Sequence, residues 1–401
     1  MKILLLHNFY GSSAPSGENQ VFEAERTLLE TRGHDVRVIT RHSDSLRSAG
    51  IRGIVLGALS TPWNPRIAAI VRDEVERFRP DIVHAHNTFP LLSPAVFPAS
   101  RRAARVLTLH NYRLFCAAAI PLRDGHTCTA CLDRHSVRPA LQHGCYRRSR
   151  IATAPIAAGI ALHRARGTWQ HDVEAFIALT EFQQALLIRA GLPSPRLHVK
   201  PNFYPGAPTS RPWSEREPCV VYAGRLSDEK GADVLVRAWS RWGEHAPELR
   251  ILGDGPLRAG LEAEAARSRA PIRFLGQCSA AEAQQHIGNA RLLVVPSTCI
   301  EGFPMVLREC FALGTPSLVS DLGPLPALVR DAGGRVFRAG DSEDLLRQAA
   351  ALWAEPTRLD SMSTAARDAY VNHYTESANH ALLMQIYDAA RREHRQRSDV
   401  A

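Results

Sequence analysis

The sequence predicts an α/β fold of two doubly wound parallel-sheet domains, and three observations predict it. Short runs of β-branched residues and leucine recur at residues 3–6, 105–109, 219–223, 249–252 and 291–295, with helix-length segments between them. Such runs are the mark of strands buried on both faces of a parallel sheet. The chain has 401 residues, 45% of them hydrophobic, enough for more than one core. Lys200-Pro201-Asn202, with Pro205, Pro208 and Pro212, reads as an extended linker between the halves. The expected domains are residues 1–205 and 206–375, followed by a closing segment, 376–401.

Residues 3–6 form the first strand. The apolar part of residues 1–9 is too short for a signal peptide and has no small-residue cleavage site, and no apolar run reaches bilayer length, so the protein reads as cytoplasmic. Residues 8–17, Asn-Phe-Tyr-Gly-Ser-Ser-Ala-Pro-Ser-Gly, are expected to be a flexible loop leading into a helix at 18–32. Gly11 and Gly17 lack the spacing of a dinucleotide fingerprint. Residues 33–39 begin the second strand, 66–79 form a helix and 81–87 a strand ending at His86 and Asn87. His86 is set aside as packing or surface. Residues 105–111 repeat the pattern, with His110 where a buried strand emerges.

Cys116, Cys128, Cys131 and Cys145 then give Cys-x11-Cys-x2-Cys-x13-Cys inside a segment, 113–148, of little hydrophobic periodicity. In a reducing compartment four thiolates with one close pair suit structural tetrahedral zinc, whose binding energy would fold a region poor in apolar residues. His126 and His143 could replace a ligand. Net charge is +9, yet residues 101–166 alone hold twelve arginines against Asp124 and Asp133, a local +10. No aromatic residues interleave with these arginines as a nucleic-acid stacking platform requires, so an anionic membrane surface is the better partner for the basic segment. An alanine-rich helix at 151–162 and strands at 173–179 and 197–199 complete the first sheet.

The second half opens with a strand at 219–223 and then Gly224-Arg225-Leu226-Ser227-Asp228-Glu229-Lys230-Gly231. Arg225 and Lys230, two cations five residues apart at a strand's carboxyl end, can converge on one diphosphate, the first as a fork and the second as a point charge. Gly253-Asp254 follows the strand 249–252 as a turn approaching the same ligand. Residues 291–295, closed by Pro296, lead to Ser297-x4-Gly302-Phe303-Pro304, and Pro304 and Gly314 bound a helix at 305–313. The free amides of Phe303, Met305 and Val306 and the positive end of that helix favour an anion. Glu301 and Glu309, with seven residues between them, cannot be meant for phosphate. Carboxylates accept from hydroxyls, so the implied ligand carries phosphate between two polyhydroxyl parts: a nucleotide sugar. Helices at 341–352, 359–374 and 376–392 close the chain.

The block 296–321, continued by Gly314-Thr315-Pro316 and Ser320-Asp321, resembles the donor site of the family 4 retaining glycosyltransferases, of the exopolysaccharide and lipopolysaccharide type. The likeness covers nearly the whole chain and is densest at 219–330. It implies the GT-B fold, two Rossmann-like domains facing across a cleft with the last helix crossing back. By resemblance Arg225 and Lys230 hold the leaving diphosphate, Glu309 the ribose, and Glu301 the sugar, with Gly302 in the same loop. His110 sits beside the donor sugar, where its ring hydrogen-bonds a hydroxyl. Gly17 takes the second of two loop glycines, Ser16 standing in place of the first, and Pro324 stands where another glycine is usual.

The implied reaction is transfer of a sugar from a nucleoside diphosphate sugar to an acceptor hydroxyl with retention, the acceptor being a glycan or lipid-linked. No Asp-x-Asp motif appears at a strand end, and cations with a helix dipole can replace a catalytic metal. Retention through a covalent glutamate and retention through the leaving phosphate as base both remain open. Two other classes use the same features: a GT-B nucleotide-sugar isomerase or phosphorylase, and a non-catalytic zinc and membrane adaptor.

Overall fold

The computed structural model describes residues 1–11 and 16–399, apart from the Arg47 side chain. The chain divides into two units. The first comprises Met1–Pro121, Thr129–Pro201 and Asn379–Ala401, and the second Leu122–Cys128 and Asn202–Ala378.

Each unit carries one six-stranded sheet. In the first the spatial order is Asp35–His42, Lys2–Phe9, Ile82–Asn87, Ala104–Leu109, Ala175–Ala178 and Leu197–Val199, every neighbour parallel. In the second it is Ile272–Gly276, Glu248–Leu252, Glu217–Ala223, Ala290–Val295, Ser317–Ser320 and Arg335–Phe337, again all parallel. Numbered within its own unit, the second sheet runs 3-2-1-4-5-6. The order therefore reverses between Glu217–Ala223 and Ala290–Val295, and crossovers leave this pair of strands in opposite directions. That opens a crevice at their carboxyl ends.

Burial explains the strands. Ile3, Leu5, Ile82, Val106 and Ile177 pack against Phe22, Leu29, Leu383 and Tyr387, while Val220, Ile251, Leu292 and Val294 pack against Leu235, Trp239 and Leu345. Helices meet both sheets, so both strand faces must be apolar, and the runs are continuous rather than alternating. Pro304 caps the helix Met305–Leu313, and Gly314 ends it at φ 64°, in the left-handed region that favours glycine.

Several expectations are corrected. The first strand runs on to Phe9, taking Asn8 out of the expected loop, and the helix begins at Gly17; residues 12–15 of that loop lie outside the described residues. Lys200 is not part of a solvated linker: it is buried, with Nζ 2.7 Å from Glu25 and 3.0 Å from Asn379. Segment 113–148 holds a short hairpin and the helices Ala130–Asp133 and Arg138–His143. The sequence also gave no sign of the helix Gly50–Ser60, because its apolar residues face outward instead of toward a core.

Candidate functional site

In the second unit the loop after Glu217–Ala223 carries Arg225 and Lys230, and the loop after Ala290–Val295 carries Glu301 to Pro304. These are the two strands that flank the switch point. The loops are stitched together: Thr298 Oγ1 donates to the Asp228 carbonyl at 2.8 Å, and Thr298 N–H donates to the Glu229 carbonyl at 3.1 Å. Gly231 permits the approach. At φ 67° it lies so close to the facing loop that a Cβ would sit 1.9 Å from the Pro296 carbonyl oxygen.

Across this seam Lys230 Nζ donates to Glu301 Oε1 at 2.6 Å, and Ser297 Oγ donates to the same oxygen at 2.8 Å. Burial pulls the Lys230 ammonium down, but Glu301, with Cys299 and Glu229, outweighs it and raises the group above its ordinary value. Lys230 is therefore charged. Two groups assigned by sequence to different parts of a ligand are bonded to each other, and an ammonium with three donors can hold Glu301 and a phosphate together. Arg225 is exposed, and among the described residues its guanidinium has no hydrogen-bond or ion-pair partner. Tyr222 Oη, donating to the Arg225 carbonyl at 2.8 Å, fixes its backbone.

The helix Met305–Leu313 starts at Pro304 with no side-chain cap, and its first bond is Leu307 N–H to the Pro304 carbonyl. The Met305 and Val306 amides thus precede any intrahelical partner. Phe303 is buried, 5.7 Å from the Tyr374 ring, and Gly302 precedes it in the loop. Glu309, one turn into the helix, is raised by burial against the pull of Arg308, 3.5 Å away. Arg308 is itself buried and donates to the Phe203 carbonyl at 2.7 Å. Gln284 bonds Glu309 and accepts from Tyr204 Oη at 2.8 Å. Gly253, at φ 132°, would place a Cβ 1.9 Å from the Gly224 carbonyl oxygen, which keeps the third loop against the first. Asp254 is engaged locally, accepting from Gly255 N–H at 2.6 Å and Arg258 at 3.0 Å.

In the first unit a cavity of about 100 Å³ is lined by Glu18, His86, His110, Asn111 and Arg113, with Ile160 and Trp169 on its apolar side. Gly17 is the residue before Glu18. Burial pushes the Glu18 carboxyl up to about 8 despite Arg113, and burial with His86 and His7 nearby holds His110 well below its ordinary value, as a neutral ring.

Sequence reasoning missed Glu18, Arg308, Tyr204 and Gln284. Glu18 had a signal, a carboxylate directly after a loop glycine. Tyr204 and Gln284, 80 residues apart, had none.

All eight cysteines are free thiols. Cys116 is pushed up to about 12 by burial, with Cys131 and Cys145 near enough to add to the effect. Cys128 follows the short hairpin. Among the described residues the grouping with ligand atoms within 4.8 Å of one another is Glu25, His84 and His86, not the cysteines.

Comparison with known proteins agrees with this layout. Residues 17–205 match the family described as Glycosyltransferase Family 4, and residues 207–369 match Glycosyl transferases group 1. Over 209 residues the chain is 30% identical to an exopolysaccharide phosphotransferase of Streptomyces coelicolor, covering 49% of this chain and 21% of that protein. Over 177 residues it is 32% identical to the phosphatidyl-myo-inositol mannosyltransferase of Mycobacterium tuberculosis H37Rv, covering 42% of this chain and 46% of that protein. The matched stretches thus span less than half the length of these curated relatives. The crystal structure of Anabaena HepE in complex with UDP and glucose superposes with a TM-score of 0.65 at 18% identity, covering 97% of this chain and 100% of that one. Fold and site define a class, the GT-B proteins. Within it the two halves carry the family 4 and group 1 glycosyltransferase signatures.

Proposed function

We propose that the chain is a retaining glycosyltransferase, moving a sugar from a nucleoside diphosphate sugar to the hydroxyl of a glycan or lipid-linked acceptor. The observation that carries the proposal is the Lys230–Glu301 pair across the switch point, beside the exposed Arg225 and the first amides of the Met305–Leu313 helix. In this reading the bond from the anomeric carbon to the diphosphate oxygen breaks as a bond to the acceptor oxygen forms on the same face. The acceptor's proton passes to the departing phosphate. Arg225, Lys230 and the amides stabilise the charge that grows there, the work otherwise given to a metal. Glu309 takes the ribose hydroxyls, Glu301 and His110 those of the sugar, and Gly17 and Gly253 let backbone approach.

A screen of nucleotide sugars by thermal stabilisation tests this. A donor at about 100 times its Kd should add about 2.7 kcal/mol of stability. That donor should then release nucleoside diphosphate only when acceptor is present. Turnover without acceptor would indicate an isomerase or phosphorylase, and stabilisation by no nucleotide sugar would refute the site.

The reading includes peripheral contact with an anionic membrane, at the inner face of a plasma membrane. No helix is long and apolar enough to cross a bilayer. The helix Gly50–Ser60, however, exposes Ile51 (81%), Ile54 (68%) and Leu59 (71%), and Ile151 is 87% exposed in a segment rich in arginine. Each such side chain is worth about 1.5–3 kcal/mol when taken out of water. Ile54→Asp with Leu59→Asp should therefore reduce sedimentation with phosphatidylglycerol-containing vesicles at least about tenfold, and equal sedimentation would refute the contact.

Structural zinc on Cys116, Cys128, Cys131 and Cys145 belongs to the same proposal, supported by the donor type, four free thiols in one short segment. Purified protein should carry about one zinc per chain and lose thermal stability on chelation. Clearly substoichiometric metal would count against it.

A further inference from the structure

Behind His110 lies a buried polar chain that the proposed reaction does not use. Glu25, His84, His86, Lys200 and Asn379 are all buried within the first unit. Lys200 donates to Glu25 Oε2 at 2.7 Å and to Asn379 Oδ1 at 3.0 Å. Burial alone would raise the Glu25 carboxyl, but Lys200 and the two histidines outweigh it and hold the group well below the usual carboxylate range. Glu25 is therefore an anion, able only to accept.

Its other oxygen, Oε1, lies 3.2 Å from His86 Nε2. By hydrogen-bond geometry neither atom has a partner among the described residues, and Oε1 also lies 3.3 Å from His84 Nδ1. A bare Nε2 at that distance would set its lone pair against the Glu25 carboxylate, whereas a proton there turns the contact into an attraction, so His86 carries its proton on Nε2. His86 Nδ1, in turn, lies 3.2 Å from His110 Nε2. Lys200 already neutralises Glu25, so a second proton on His86 would leave an uncompensated buried cation. His86 is then neutral with Nδ1 bare, and the proton shared with His110 must sit on His110 Nε2.

The distances within Glu25, His84 and His86 would also suit a cation. The Lys200 ammonium already occupies the carboxylate, however, and both His84 nitrogens are engaged, Nδ1 with Tyr387 Oη at 2.8 Å and Nε2 with Thr108 Oγ1 at 2.8 Å.

We infer that Glu25 and His86 are positioning residues that lock His110 in its Nε2–H tautomer, leaving the bare Nδ1 to accept from a hydroxyl of the donor sugar. The sugar's hydroxyl must then donate. The last clause rests on the proposed role of His110, whereas the tautomer itself does not.

The test is proton–nitrogen correlation NMR of the full chain labelled with 15N-histidine, with His110 assigned by substitution. The expected signature is a protonated Nε2 and a bare Nδ1 at His110; protonation on Nδ1, or on both nitrogens, would overturn the inference. His86→Asn keeps an acceptor near the Nδ1 position and should preserve the signature. His86→Gln loses that acceptor and should abolish it, lowering kcat about tenfold with little change in donor KM, the loss expected for one misdirected hydrogen bond. An unaltered His110 signature in His86→Gln would also overturn the inference. A lost signature with unchanged transfer would uphold the wiring and remove His110 from the reaction, which separates the two claims.

Discussion

Lys230→Ala is expected to lower turnover by about 10²–10³-fold, the usual loss when one preorganised donor to a developing oxyanion is removed. The effect belongs in kcat more than in KM, because the charge on the departing diphosphate grows only as the glycosidic bond breaks. Removing the ammonium also takes from Glu301 the donor 2.6 Å from its Oε1, while Ser297 stays against the same oxygen at 2.8 Å. A carboxylate that has lost its ammonium would repel phosphate, so the loss should exceed that of Arg225→Ala, whose side chain is exposed and leaves no partner behind. Glu301→Gln separates the roles: it keeps a hydrogen-bonding group toward a sugar hydroxyl but removes the negative charge. All three variants should keep the wild-type melting temperature within a few degrees. Full transfer activity in all three would mean that the site lies elsewhere.

Gly231→Ala is expected to do more damage than its one added methyl suggests. The new Cβ would lie 1.9 Å from the Pro296 carbonyl oxygen, and φ is 67°, so both sterics and backbone conformation oppose it. The obstacle is backbone and cannot swing aside as a flexible side chain would. Relief requires the two loops to part, which breaks the bonds from Thr298 to the Asp228 and Glu229 carbonyls and carries Lys230 away from Glu301. The backbone strain alone costs about 1–3 kcal/mol. Donor Kd should rise at least about tenfold, more than 1.4 kcal/mol of lost binding. Calorimetric titration with the stabilising donor and a melting curve measure both. Wild-type values for each would show that the seam between the loops does not shape the site.

Much of the second unit could be read in the residues. The helix at 305–313 matched to the residue, since proline and glycine set its ends locally. Arg225, Lys230 and Glu301 were legible because each sits within a few residues of a strand's end. Asn8 and Lys200 were misread for one reason: a polar residue within a few positions of glycine or proline looks like loop. Lys200 instead lies buried against Glu25, a partner 175 residues away that no local pattern announces.

The sequence by itself determined most of the strands, the helix at 305–313 and the chemical kinds of group at the strand ends, because burial on both faces and backbone-restricted residues act over a few positions. Only the tertiary structure decided that Lys230 bonds Glu301, that Arg308 and Gln284 attend Glu309, and that Glu25 reaches His110 through His86. Those pairings depend on strand order and on side chains meeting across a sheet or between loops, where separation along the chain carries no information.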